Sequence, residues 1–168
     1  MALEKIAFGG GCHWCTEAVF QSLRGVHSVE QGFVSPDSTD RSFSEAVIVT
    51  YDSEMITLKD LSLIHLFTHE STSKHSMRTK YRSAIYTFNK MDEEFLFQIW
   101  DELQAEFQSK LITQILPFKE FRASDEQFQN YYRKDPGKPF CKRYIHPKLE
   151  LLRRLFSSHL DTRTSVTQ

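Results

Sequence analysis

Two spacings of apolar residues divide this chain into strands and helices. EAVIVTYD (45–52) is the strongest strand signal, rich in β-branched residues. EKIAF (4–8), HSVEQGFV (27–34), YRSAIYTF (81–88) and LITQILPF (111–118) read as four more strands. Between them the spacing lengthens to three and four. From His13 to about Ser22, Val19, Phe20 and Leu23 follow helical spacing, and RGV supplies a glycine stop. TLKDLSLIHLFTHE (57–70) opens on Thr57 as a cap and carries leucines and Phe67 at helical intervals. MDEEFLFQIWDELQAEFQSK (91–110) is the longest helical stretch, with Phe95, Ile99, Leu103 and Phe107 on one line. SDEQFQNYY predicts a short helix capped by Ser124, and Pro147 opens a last basic, amphipathic helix. SPDSTDRS and STSKHSMRTK are polar connectors.

This order implies an α+β fold with helices packed on a mixed, mostly antiparallel sheet. A doubly wound parallel sheet fits less well, because no crossover helix separates the second and third strands. The 168 residues show no internal repeat, which points to a single domain over 1–160. The tail 161–168 lacks apolar anchors and is expected to be mobile. Fourteen phenylalanines favour an aromatic core. A net charge of −1, with both signs interspersed, draws the chain to neither nucleic acid nor an anionic membrane. No run approaches the roughly 18 apolar residues of a membrane span, and the N-terminal apolar stretch is too short for a signal peptide. Three cysteines without an export signal fit reduced thiols in a cytoplasmic protein.

The chemistry concentrates in GGGCHWCTE (9–17). Cys12 falls where a strand turns into a helix, so it faces unpaired backbone N–H groups that favour its thiolate. The preceding glycines let the backbone turn sharply and a substrate approach. That suits a nucleophile, although a free cysteine is commonly just a small buried hydrophobe. The C-x-x-C spacing with Cys15 also admits a redox pair, as in a general thiol–disulfide oxidoreductase. With Cys141 and His146 the two cysteines would make a Cys₃His zinc set, but the second half lacks a tight ligand pair.

Four blocks in order carry a resemblance. GGGCHWCTEAVF resembles the G-G-C-F-W-(G/C)-x-E-A-x-F signature of the A-type peptide methionine sulfoxide reductases. SEAVIVTYD is similar to that family's H-A-E-A-V-x-V-x-Y/F-D, and TKYRSAIYTF to its G-T-Q-Y-R-S-A-I-Y/F. ITQILPFKEFRASDEQFQNYY follows its I-L-P-x-x-x-F-x-x-A-E-x-Y-H-Q-x-Y stretch, and KPFC falls where many members carry a recycling cysteine.

The resemblance implies a two-layer, ferredoxin-like α/β plait that reduces the S-epimer of methionine sulfoxide, free or in proteins. It makes Cys12 the nucleophile, which becomes a sulfenic acid, and Glu45 the general acid that protonates the departing oxygen. That task needs an uncharged carboxyl, which burial among apolar groups would favour; otherwise Glu45 is a solvent-facing strand residue. Tyr81 would donate a hydrogen bond to the sulfoxide oxygen, or else fill a strand edge. Trp14 would wall the pocket for the substrate methyl group, with His13 beside it where most members have phenylalanine. His13 could pair with the Cys12 thiolate or hydrogen-bond to backbone. Cys141 is the implied resolving cysteine and Cys15 the alternative, with a thioredoxin-like protein or dithiothreitol as reductant. Neither metal nor bound cofactor is implied, and a monomer is the family's usual state. A non-catalytic relative that binds methionine-containing peptides is the competing reading.

The sequence also departs from the family. The loop before SEAV is short and lacks the N-P-x-Y tyrosine, a second donor to the oxygen. Losing it would slow the reduction by about 5- to 150-fold, equivalent to about 1–3 kcal/mol. HSMRTK replaces N-D-V-G-T-Q, placing Ser76 and Arg78 where aspartate and glycine are usual, and Phe128 replaces a histidine. Arg78 is thereby expected to favour an acidic peptide context.

Overall fold

The computed structural model describes residues 2–74 and 76–161, so all but the first residue of the tail lies outside the described residues. Five strands, β1 (Leu3–Gly9), β2 (Val26–Pro36), β3 (Ser44–Asp52), β4 (Ala84–Thr87) and β5 (Gln114–Ala123), close into a barrel in the order β1-β3-β2-β5-β4. The ferredoxin-like, two-layer plait is therefore corrected. β1 pairs antiparallel with β3 on one edge and with β4 on the other, leaving it no free edge.

The fifth strand explains the closure. Residues Gln114–Pro117 of β5 pair parallel with β4, and Phe118–Ala123 pair antiparallel with β2. A strand ending at Phe118, as the apolar run alone suggests, lacks the half that joins β2 and shuts the ring. The parallel β4–β5 pair requires a crossover, which α3 (Lys90–Gln104) supplies.

Side chains alternate between two cores. Inside the barrel, the small Ala7, Ala46 and Ala84 leave room for Tyr86, with Phe118 and Phe121 packed against them. Outside, Ile6, Phe8, Val47, Val49 and Ile85 meet the helices α1 (His13–Gln21), α2 (Leu58–Thr68), α3 and α5 (His146–Leu155). Phe20 of α1 stacks on Phe8 of β1 at 4.6 Å, fixing the first helix to the strand that feeds it.

Local signals are met unevenly. Thr57 caps α2 by accepting from the Asp60 N–H at 3.1 Å. In α3 the buried line is Leu96, Ile99 and Leu103, while Phe95 is an exposed large hydrophobe. Ser124 caps nothing; its hydroxyl donates to the Gln31 carbonyl at 3.2 Å. The segment after it forms one 3₁₀ turn at Glu126–Phe128 and then α4 (Tyr131–Lys134). No described helix is long and apolar enough to cross a membrane.

Candidate active site

Cys12 caps the N-terminus of α1, and its carbonyl accepts the Cys15 and Thr16 N–H groups at 3.1 and 3.2 Å. Its thiol is held below the usual cysteine range. The side chain of Cys15 contributes most, by hydrogen-bonding the sulfur, and the Trp14 and Cys15 N–H groups add to it; burial and Glu45 oppose. Cys15 is correspondingly pushed up, first by that same hydrogen bond and then by burial. Of the two thiols, Cys12 is therefore the one that the site favours as thiolate.

A cleft of about 420 Å³ opens at this sulfur. Cys12, Cys15, Tyr81, Phe140, Tyr144 and Lys148 are among its lining residues. Tyr81 comes from the approach to β4, and Lys148 from α5, so the barrel and the C-terminal helix face each other across Cys12. The Lys148 ammonium donates to the Thr68 carbonyl, and its pKa is lowered by burial against the opposing influence of Cys15, Glu70 and Cys12.

Glu45 lies on β3 and is buried, but not in the apolar enclosure expected for it. Its Oε1 accepts the His13 N–H at 3.1 Å, and its Oε2 lies 3.6 Å from the Lys80 ammonium. Lys80 also hydrogen-bonds Tyr81, with its nitrogen 5.2 Å from the ring centroid, and this contact raises the lysine pKa. Carboxylate, ammonium and phenol therefore form one continuous polar edge.

The two alternatives for His13 are resolved by geometry. Its Nδ1 donates to the Gly32 carbonyl at 2.8 Å, and its Nε2 points at Glu45 Oε1 at 3.5 Å. Burial lowers its pKa, which favours the neutral ring, and it is bound to backbone rather than paired with the Cys12 sulfur.

Trp14 sits in an aromatic cluster that reaches the cleft through Phe140. Its indole stacks on Tyr131 at 4.0 Å, meets Phe140 edge-on at 5.3 Å and lies 5.8 Å from Phe128. Glu17 fastens this wall: its carboxylate accepts the N–H groups of Asn130 and Tyr131 and the Gln31 amide, while burial raises its pKa.

Cys141 is fully buried in a π-helical turn, Cys141–Ile145, immediately before α5, rather than in a loose loop. Its thiol lies 3.5 Å from the Asp135 carbonyl. All three cysteines are unpaired, and among the described residues no three histidine, cysteine or acidic side chains are grouped to hold a metal.

Sequence reasoning passed over His69, Lys80 and Lys148. His69 packs in α2's wake against Gly10, donating from Nδ1 to the His65 carbonyl and accepting from the Ser83 hydroxyl at 2.7 Å. Helical spacing for His69 and Lys148, and a polar connector for Lys80, mark these as ordinary polar positions, and only the chain's return to Cys12 gives them a place at the site.

A partly buried cysteine with a depressed pKa, sharing an open cleft with a tyrosine and within the field of a buried carboxylate, defines a thiol-dependent oxidoreductase. The chain belongs to the peptide methionine sulfoxide reductase family, whose sequence model matches residues 4–160. It is similar to the peptide methionine sulfoxide reductase MsrA of Deinococcus radiodurans, with 35% identity covering 95% of this chain and 85% of that protein. Reduced Mxr1 from Saccharomyces cerevisiae has the same fold at a TM-score of 0.74, with 26% identity over 83% of this chain and 90% of that one. Mxr1 in complex with Trx2 matches at a TM-score of 0.62 and 24% identity, covering 75% of this chain and 84% of that one.

Proposed function

We propose that the chain reduces the S-epimer of methionine sulfoxide, free or within proteins, using Cys12 as nucleophile. The observation that carries this is the placement of Cys12 in one cleft with Cys15 and Tyr81, where the Cys15 side chain lowers the Cys12 pKa. The thiolate attacks the sulfoxide sulfur. Glu45 supplies a proton to the oxygen, and Tyr81 donates a hydrogen bond to it. The oxygen then passes to Cys12, so that thiol and sulfoxide become sulfenic acid and thioether. The Trp14–Tyr131–Phe140 wall receives the methyl group, with His13 bracing Glu45.

Either remaining cysteine can resolve the sulfenic acid, giving a disulfide and one water. Cys141 is the resolving candidate that the recycling position suggests. The direct contact of Cys15 with Cys12 favours Cys15 for the first disulfide, because oxidation of Cys12 alters the hydrogen bond that does most to hold the Cys15 thiol up. A thioredoxin-like dithiol then restores the thiols, a role supported by the Trx2 complex of Mxr1. Three unpaired cysteines suit a reducing compartment such as the cytoplasm, and every group invoked lies within residues 1–160 of one chain, consistent with a single-domain monomer.

Turnover of dabsyl-methionine S-sulfoxide with dithiothreitol tests the reading. Wild type is expected to turn over and Cys12→Ser to be inactive; activity that survives the substitution overturns it. Mass spectrometry after one turnover without reductant identifies the partner of Cys12.

A further inference from the structure

Arg78 stands where glycine is usual and was expected to greet acidic peptides. Its donors are turned inward instead. Nε donates to the Ser73 carbonyl at 2.9 Å, and Nη2 donates to the Glu70 carbonyl. Nη1 donates both to the Gly10 carbonyl at 2.7 Å and to the Tyr81 carbonyl at 3.0 Å. A guanidinium offers five N–H groups in a rigid fork, so one side chain can hold four carbonyls at once. An ammonium on a flexible stem cannot reproduce that geometry.

Two of those carbonyls bear on the chemistry. Gly10 precedes Cys12 by two residues, and Tyr81 carries the phenol that lines the cleft. The β1–β4 ladder ends at the pair Gly9–Ala84, so beyond it no strand pairing ties the two segments together. Arg78 sits in that gap. We propose that Arg78 is a positioning residue for sulfoxide reduction, fixing the Tyr81 phenol relative to Cys12 by holding the Gly10 and Tyr81 carbonyls on one nitrogen.

This deepens the reading of Tyr81 as the oxygen's donor and rests on it, and a double-mutant cycle separates the two. Initial rates on dabsyl-methionine S-sulfoxide with dithiothreitol are compared for wild type, Arg78→Ala, Tyr81→Phe and the double variant. Both single variants are expected to lose about tenfold or more in kcat. The double variant should be no slower than the slower single one, because Arg78 has nothing left to position. Millimolar guanidinium should restore part of the Arg78→Ala rate, whereas ammonium should not, and iodoacetamide should alkylate Cys12 in that variant within about twofold of wild type.

A wild-type rate for Arg78→Ala, or losses that multiply in the double variant, overturns the assignment of Arg78 alone. A wild-type rate for Tyr81→Phe overturns the Tyr81 reading and the positioning role with it. Should Arg78→Ala fail to fold, Arg78→Lys carries the test: a reduced kcat at an unchanged melting temperature is expected, and a wild-type kcat overturns the proposal.

Discussion

The Cys15 thiol hydrogen-bonds the sulfur of Cys12, and this contact does more than any other to lower the Cys12 pKa. The C-x-x-C spacing therefore matters before any disulfide exists. Removing the donor by Cys15→Ala leaves burial and Glu45 acting against the anion, so the Cys12 pKa should rise. Iodoacetamide alkylation at neutral pH is expected to slow by roughly tenfold, in keeping with the loss of a charge-assisted hydrogen bond. Cys141→Ala should leave the alkylation rate unchanged. Equal rates in Cys15→Ala and wild type would show that the thiol contact does not set the charge.

Glu45 has opposite effects on binding a proton at sulfur and delivering one to oxygen. Its charge disfavours the Cys12 thiolate, while in the proposed reaction its acid form would serve the leaving oxygen. Glu45→Gln should thus lower kcat by about 10²–10⁴-fold while alkylation of Cys12 becomes no slower. A parallel fall in both measurements would mean that the substitution had only disrupted the site.

Of three histidines near the site, His13 and His65 are buried and His69 is half-buried, and all three have lowered pKa values. Burial lowers the pKa of His13, takes His65 well below its usual value and brings His69 to about 3. The unfolded chain protonates these rings near pH 6.5 and the folded chain does not, so the unfolded state binds more protons below that pH. Stability should be highest above about pH 6.5 and fall as the pH drops towards about 3, by up to roughly 1.4 kcal/mol per pH unit for each ring. Glu17 and Asp92, carboxyls raised by burial, work in the opposite direction and blunt the slope. Urea midpoints at pH 7.5, 5.5 and 4.5 measure it, and His69→Gln should flatten it. A pH-independent midpoint would refute neutral burial.

The strand and helix inventory was legible because local spacing writes it, as Thr57 capping α2 and the β-branched run of β3 illustrate. Barrel closure was not. It depends on which strands meet, and β5 continues through the charged KEFRA stretch, which carries no strand-like apolar alternation yet pairs with β2. The site divides in the same way. Cys12, Trp14, Glu45, Tyr81 and Cys141 stand in recognisable blocks, whereas the meaning of Arg78 lies in the carbonyls it reaches. Residue type suggested a surface cation for a peptide; the fold spends its donors on backbone. Likewise, Phe95 fits a helical line by spacing, but α3 buries Leu96 together with Ile99 and Leu103 instead.

Gly10 and Gly11 look alike in sequence and should respond differently to the same substitution. Gly10 has φ +152°, which L-residues rarely adopt, and a Cβ there would lie 2.4 Å from the His69 ring. That ring is pinned by the His65 carbonyl and the Ser83 hydroxyl, so it cannot yield cheaply. A Cβ on Gly11 would meet nothing within 4 Å. Gly10→Ala should therefore destabilise the protein by about 2 kcal/mol or more and displace the carbonyl that Arg78 holds, lowering turnover as well. Gly11→Ala should change stability by less than about 1 kcal/mol, its methyl entering the cleft and acting on KM before kcat. His69→Ala in the Gly10→Ala background removes the clash but not the backbone strain, so only part of the lost stability should return. Denaturant midpoints for wild type and these three variants decide this, and equal costs at Gly10 and Gly11 would contradict the packing of His69 against the glycine turn before Cys12.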